Sequence, residues 1–250
     1  MSGVCVISQP TFLPWLGWFD QVDQAEIMVL LDDVPFAKRS WQQRNRIRTR
    51  NGLEFVTVPV VSTGLREQKI MDCCLADEKF GKKLISTLKA NYAKAAFFRD
   101  SIEELIDEVS RGVEAASLVE LNCRLIKWCA AKLNIETPIL MASELGVGGV
   151  RGEHLAAICQ SLGYTKYLSA PGAESYLLED EEAFEQRGIE VNIHVYEHPS
   201  YTQCFSPFMP FACSLDLVFN EGPNAVTVMR SGRRPARPLG GVTSCLEKMS

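Results

Sequence analysis

Histidine is scarce: the 250 residues hold three, His154, His194 and His198, so few side chains can exchange a proton near neutral pH. No two of the nine cysteines stand in a Cys-x-x-Cys spacing, which argues against a cysteine-based zinc site. Their odd number and apolar surroundings fit buried thiols rather than a disulfide framework. No apolar run is long enough to cross a bilayer, and neither a basic n-region nor an apolar h-region follows Met1, so the sequence predicts a cytoplasmic protein with no membrane span. Net positive charge is also missing: the formal balance is −5, which argues against general nucleic-acid binding. No internal repeat is visible, which excludes a solenoid.

What remains is an ordinary folded composition, 46% hydrophobic and 23% charged, long enough for one continuous core. "VCVIS" (4 to 8) reads as a short buried strand, residues 15 to 25 as a short helix after Pro14, and "IMVLLDD" (27 to 33) as a second strand ending in two carboxylates. "EFVTVPV" (54 to 60) reads as a strand after the Asn51-Gly52 turn, paired with "QKIMDCCLA". From about 78 to 133 the pattern is helical, with Leu118, Leu121, Leu125, Cys129 and Leu133 forming a core stripe. Strands at 137 to 143, 165 to 171 and 189 to 198 follow, separated by a helix at 150 to 162 and a charged helix ending at Gly188. This alternation predicts an α/β fold, a mostly parallel sheet flanked by helices with a helical middle segment. Residues 1–223 are expected to form a single domain. "MRSGRRPARPLGG" and its neighbours predict a basic, Pro/Gly-containing tail, 224–250, that is poorly ordered.

Charge is uneven. Lys38, Arg39, Arg44, Arg46, Arg48 and Arg50 lie in one stretch with no acidic residue among them, together with Trp41, Gln42, Gln43 and Asn45. A solvated basic face is one reading; a site for a shaped anion, such as a phosphate on a larger molecule, is the other. Upstream, "QPTFLPWLGWF" (9 to 19) crowds aromatic rings among helix breakers. Gln9, Pro10 and Pro14 predict a rigid ligand-facing turn whose following helix offers free backbone N–H groups to an anion. Trp15, Trp18 and Phe19 stack on a ligand or staple the helix to the sheet. The layout is loosely similar to nucleotidyltransferases, without their paired histidines.

A closer likeness lies in "SQPTFLPWLGWFDQVDQAEIMVLLDDVPFAKRSWQQRNRI", "FVTVPV", "YLSAPGAESYL" and "HPSYTQCFSPFMPFACSLDLVFNEGP", in that order. Over most of residues 4 to 223 the chain resembles the WbqC-like family, departing from its usual pattern at Phe12, Pro35 and Gln43. The resemblance implies a bacterial surface-polysaccharide pathway of the O-antigen type and an acyl or aminoacyl transferase, glycyl included, acting on a sugar. A coenzyme A or phosphopantetheine thioester is a donor class such a transfer uses. A nucleotide-linked sugar and an acyl carrier protein are then the expected partners. A non-catalytic binding protein for such an intermediate, or a nucleotidyltransferase-like enzyme, is the rival reading.

Acyl transfer needs a base and a donor for the developing oxyanion. His198, at a strand end near Tyr201 and Gln203, is the candidate base; His154 and His194 fit structural roles. Asp32 and Asp33 could act as base or pair with nearby cations, though strand alternation keeps them from pointing the same way. No metal site is expected, for want of a third ligand. Ser214 and Asp216 could orient site groups, and Cys204 and Cys5 are the cysteines weighed for a covalent route.

Overall fold

The computed structural model describes residues 3–65 and 67–241. The chain opens with β1 (Val4–Ser8), α1 (Leu16–Asp23) and β2 (Ile27–Leu30), followed by a hairpin of β3 (Arg44–Thr49) and β4 (Gly52–Thr57). Three helices form the middle: α2 (Phe80–Tyr92), α3 (Phe98–Glu114) and α4 (Leu118–Lys132). Then come β5 (Ile139–Met141), α5 (Ala142–Leu145), α6 (Gly152–Ser161), β6 (Lys166–Ser169), α7 (Glu174–Glu179), α8 (Glu181–Glu185) and β7 (Glu190–Tyr196). The chain closes with α9 (Ser214–Glu221), α10 (Ala225–Ser231) and β8 (Arg233–Pro238).

The main sheet runs in the order β5-β2-β1-β6-β7-β8, parallel except for the final antiparallel pairing of β8 with β7. Successive side chains on a strand point to opposite faces, and the sequence uses this to feed two cores. Val6, Met28, Leu30 and Leu168 face a core with α1, the three middle helices, α9 and α10. Cys5, Ile7, Val29 and Tyr167 face another, with α6, Leu177 of α7 and Phe184 of α8. Apolar residues on both faces are what a parallel sheet covered on both sides requires. The stripe from Leu118 to Leu133 is buried as read, and α4 starts at Ser117, whose hydroxyl accepts from the Glu120 N–H as an N-cap.

Two sequence expectations change. β4 pairs with β3, along the basic segment, and not with residues 68–76, which form a short turn of helix at Ile70–Asp72 and touch the strand's continuation only through the Val60–Leu75 bridge. Residues 225–238, expected to be poorly ordered, are helix and strand. Their arginines are what hold them: Arg230 pairs with Asp23, Arg233 with Asp20 and Asp23, Arg234 with Glu197 and Arg237 with Glu174. The remaining tail, 242–250, lies outside the described residues.

Candidate functional site

Beyond β1 the chain turns towards α1, which belongs to one core; beyond β6 it turns towards α7, which belongs to the other. In a doubly wound sheet such a divergence opens a crevice beyond the carboxyl ends of the two strands. A cleft of about 530 Å3 lies there, its walls including Ser8, Gln9, Trp15, Trp41, Arg46, Ser169, Tyr176 and Phe211.

The "QPTFLPW" turn forms its wall because buried amides satisfy its backbone. Asn45 donates to the Phe12 and Leu13 carbonyls at 3.1 and 2.8 Å. Asn122 of α4 donates to the Pro10 carbonyl at 2.9 Å and to that of Gln42 at 2.8 Å. The Gln42 side chain donates to Gln9 Oε1 at 2.8 Å, tying the turn to the basic segment. Buried carbonyls without such donors would each cost about 1–3 kcal/mol. Pro10 is thereby part of the framework and does not line the cleft. Trp18 donates from Nε1 to Ser8 Oγ at 3.0 Å and lines the cleft with Trp15, whereas Phe19 is core.

The start of α1 is not the open anion cradle expected from the sequence. The Trp15 ring folds over Gly17, whose missing Cβ would fall 2.3 Å from the indole. Positive charge comes instead from β3. Arg46 lines the cleft with its guanidinium 5.7 Å above the Trp41 ring, and Arg44 sits 4.4 Å above Phe55. Lys38 and Arg39 stay on the exposed rim, Lys38 donating to the Ser62 carbonyl. Arg48 is buried and bonded to the Thr49 and Pro207 carbonyls. None of the six cations from Lys38 to Arg50 forms an ion pair among the described residues.

His198 sits behind the cleft wall, its ring 6.2 Å from Trp15 and 5.2 Å from Phe211, both of which face the cleft. Its Nδ1 lies 2.9 Å from the Pro199 carbonyl, which assigns the proton to that nitrogen, and the buried Nε2 has no partner. Burial lowers its pKa from the ordinary value, against a smaller opposing effect of the Pro199 bond. The imidazole is therefore neutral near pH 7, with a basic Nε2.

The other sequence candidates lie elsewhere. Asp32 accepts from the N–H and hydroxyl of Ser143 at 3.0 and 2.7 Å at the start of α5, and Asp33 lies 3.2 Å from His154 Nε2. Neither lines the cleft, and neither pairs with Lys38, Arg39 or Arg44. Tyr201 and Gln203 each donate to Asp216 Oδ2 at 2.8 Å, and Ser214 donates to the Cys129 sulfur. Burial raises the pKa of Asp216, opposed by its hydrogen bonds and by the charge of Arg48. This network braces the loop around His198 and is not open to a ligand. Burial raises the Cys204 thiol, and Cys5 is fully buried with its thiol raised by a hydrogen-bonding interaction with the free Cys159 thiol and by burial; neither is an activated nucleophile.

Ser8, Ser40, Ser169, Tyr176 and Phe211 line the cleft without having been singled out in the sequence. Ser8 and Ser169 end β1 and β6, the strand ends where a parallel sheet collects ligands; nothing local marked Phe211. No carboxylate, histidine or cysteine lines the cleft among the described residues, and no group of three metal-ligating side chains occurs among them. No helix of the described residues is long and apolar enough to cross a membrane.

Fold and site define a doubly wound α/β protein with an aromatic, cation-edged cleft at its switch point. The sequence model of the WbqC-like protein family matches residues 9–228, and the chain belongs to that family. It is 32% identical over 235 residues to "Uncharacterized protein Rv1507c" of Mycobacterium tuberculosis (strain ATCC 25618 / H37Rv), across 94% of this chain and 100% of that protein. No solved structure matches the chain.

Proposed function

We propose that the switch-point cleft receives a sugar carried on a phosphate-bearing group, and that the protein transfers an acyl or aminoacyl group, glycyl being the smallest, onto it in surface-polysaccharide biosynthesis of the O-antigen type. The observation that carries this reading is Arg46 on the cleft wall, a guanidinium with no ion pair among the described residues and no carboxylate lining the cleft beside it, which suits an anionic substrate. The family resemblance supplies the polysaccharide setting. The aromatic walls suit a sugar face.

In the transfer, a sugar amine or hydroxyl attacks the carbonyl carbon of a coenzyme A or phosphopantetheine thioester. A C–N or C–O bond forms and the C–S bond breaks; the attacking group's proton passes to His198 Nε2 and from there to the departing thiolate, which leaves as the thiol. Because Trp15 and Phe211 stand between His198 and the cleft, this step requires the half-exposed Phe211 ring to swing aside. A second reading, a non-catalytic binding protein, is favoured by a cleft wall that holds no carboxylate, histidine or cysteine among the described residues.

The test is a low-salt thermal-shift screen of wild type and Arg46→Ala against nucleotide-sugars, coenzyme A thioesters, nucleoside triphosphates and an aminoacyl-loaded carrier protein, with mass spectrometry of acceptor sugars. Stabilisation lost in the variant together with an acylated sugar supports transfer. Binding without turnover for any donor supports the second reading, and stabilisation by a triphosphate alone favours nucleotidyl transfer. No response to any of them refutes both main readings.

A further inference from the structure

Resting on that reading, we infer that the outer face of the β3–β4 hairpin is a platform for a nucleobase, so that the phosphate-bearing group on the sugar is a nucleoside diphosphate. Trp41 and Phe55 are each 50% exposed and lie side by side, with ring centroids 6.0 Å apart and planes 38° from one another. Phe55 on β4 and Trp41 in the turn before β3, two large rings left half in water, form an apolar surface that a planar base can cover. Each ring is partnered by a guanidinium, Arg46 at 5.7 Å from Trp41 and Arg44 at 4.4 Å from Phe55. A base laid against them gains cation–π as well as stacking contact.

The platform is continuous with the cleft. Trp41 and Arg46 both line it, and Phe55 stands opposite Arg46 in the hairpin register. The Arg46 side chain donates no hydrogen bond within the described residues, and its Nε is buried without a partner. Held 5.7 Å from the Trp41 ring with no hydrogen bond of its own, that guanidinium keeps N–H groups for an anion such as phosphate. The usual pyrophosphate position in a doubly wound sheet, the first turn of the helix after β1, is covered here by the Trp15 ring. The diphosphate is thus placed at Arg46, the sugar in the cleft and the base on Trp41 and Phe55. A carrier-bound phosphopantetheine arm, which is aliphatic and flexible, has no flat ring to match this surface, and coenzyme A offers adenine alone, so preference for another base assigns the platform to the sugar nucleotide.

The test is titration calorimetry of wild type, Trp41→Leu, Phe55→Leu and Arg46→Ala with the diphosphates of uridine, guanosine, cytidine, thymidine and adenosine, with inorganic pyrophosphate, and with 4′-phosphopantetheine. At least one nucleoside diphosphate is expected to bind wild type about tenfold or more tightly than pyrophosphate. Trp41→Leu should remove most of that gain while leaving pyrophosphate affinity within about twofold, Phe55→Leu should remove part of it, and Arg46→Ala should weaken both probes. If every nucleoside diphosphate binds no better than pyrophosphate, or Trp41→Leu weakens both equally, the platform is refuted. Arg46-dependent binding of 4′-phosphopantetheine alone also refutes it while leaving the transferase reading standing. If no anion binds at all, both fall.

Discussion

Asp20 is the place where the strength of this fold can be tested most directly. Its carboxylate is fully buried and accepts from His194 Nε2, Arg233 Nε and Gln24 Nε2, each at 2.8 Å. Replacing it with alanine strands the buried His194 donor, which costs about 1–3 kcal/mol, and removes one of the two counter-charges of Arg233. Breaking a buried ion pair from one side typically costs about 3–5 kcal/mol. Arg233 is only partly buried and keeps Asp23, so the lower end, about 3 kcal/mol, is expected. For a chain of this size that is a fall in Tm of about 6–12 °C. Arg233→Ala leaves Asp20 with His194 and Gln24 and should cost less, about 1–2 kcal/mol. Urea and thermal denaturation of both single variants and the double variant give the coupling, and hydrogen exchange reads the amides of β8. A cost below about 1 kcal/mol for Asp20→Ala, with β8 still as protected as β7, would refute the view that this network pins the last strand to the sheet.

Two further outcomes are expected. Gly17→Ala improves helix propensity by about 1 kcal/mol but drives a methyl into the Trp15 ring, which Tyr196 and Phe211 hold at 5.6 and 5.5 Å. Overpacking of about 1–3 kcal/mol should offset the gain and displace a cleft wall, so denaturation shows no stabilisation and anion affinity drops; a full 1 kcal/mol gain with unchanged binding would contradict the placement of Trp15. For His198, whose folded pKa is lowered by burial, the neutral base predominates above its ordinary value of about 6.5. Its contribution to stability is therefore complete above about pH 6.5 and lost as pH falls through the lower folded value. The acid limb of kcat/KM should lie below about 6.5, and His198→Gln should abolish turnover but retain ligand binding; a limb above neutrality would exclude this residue as the base.

Much of the sheet could be read in advance, because short apolar runs bounded by turn residues mark buried parallel strands wherever they occur. The strand at 44–49 escaped notice because arginine masks the alternation: Ile47 enters the core while Arg44 and Arg46 stack on rings outside it. The instructive contrast is between two arginine-rich stretches that look alike as sequence. Residues 230–237 meet Asp20, Asp23, Glu174 and Glu197 and become structure. The cations of residues 38–50 form no ion pair among the described residues: Arg48 is buried on the Thr49 and Pro207 carbonyls, and Arg46 is left on the cleft wall for a ligand. Composition cannot separate these fates, since the partners lie up to 213 residues away. The same limit applies to Asp32 and Asp33, whose adjacency at a strand end said nothing about Ser143 and His154, the groups they serve.

That separation also bears on how the chain matures. Asp20 enters the core with the first helix, yet its arginine arrives 213 residues later, beyond the span 9–228 that the family shares. At about 5–20 residues per second, a ribosome needs about 10–40 s to deliver it. Through that interval the nascent sheet holds an acid without its full complement of donors and an edge on β7 without a neighbour. The strand β8 thus acts as the latch of the fold, and a message cut short before residue 233 would yield a chain without it, which cellular quality control can tell from a latched one.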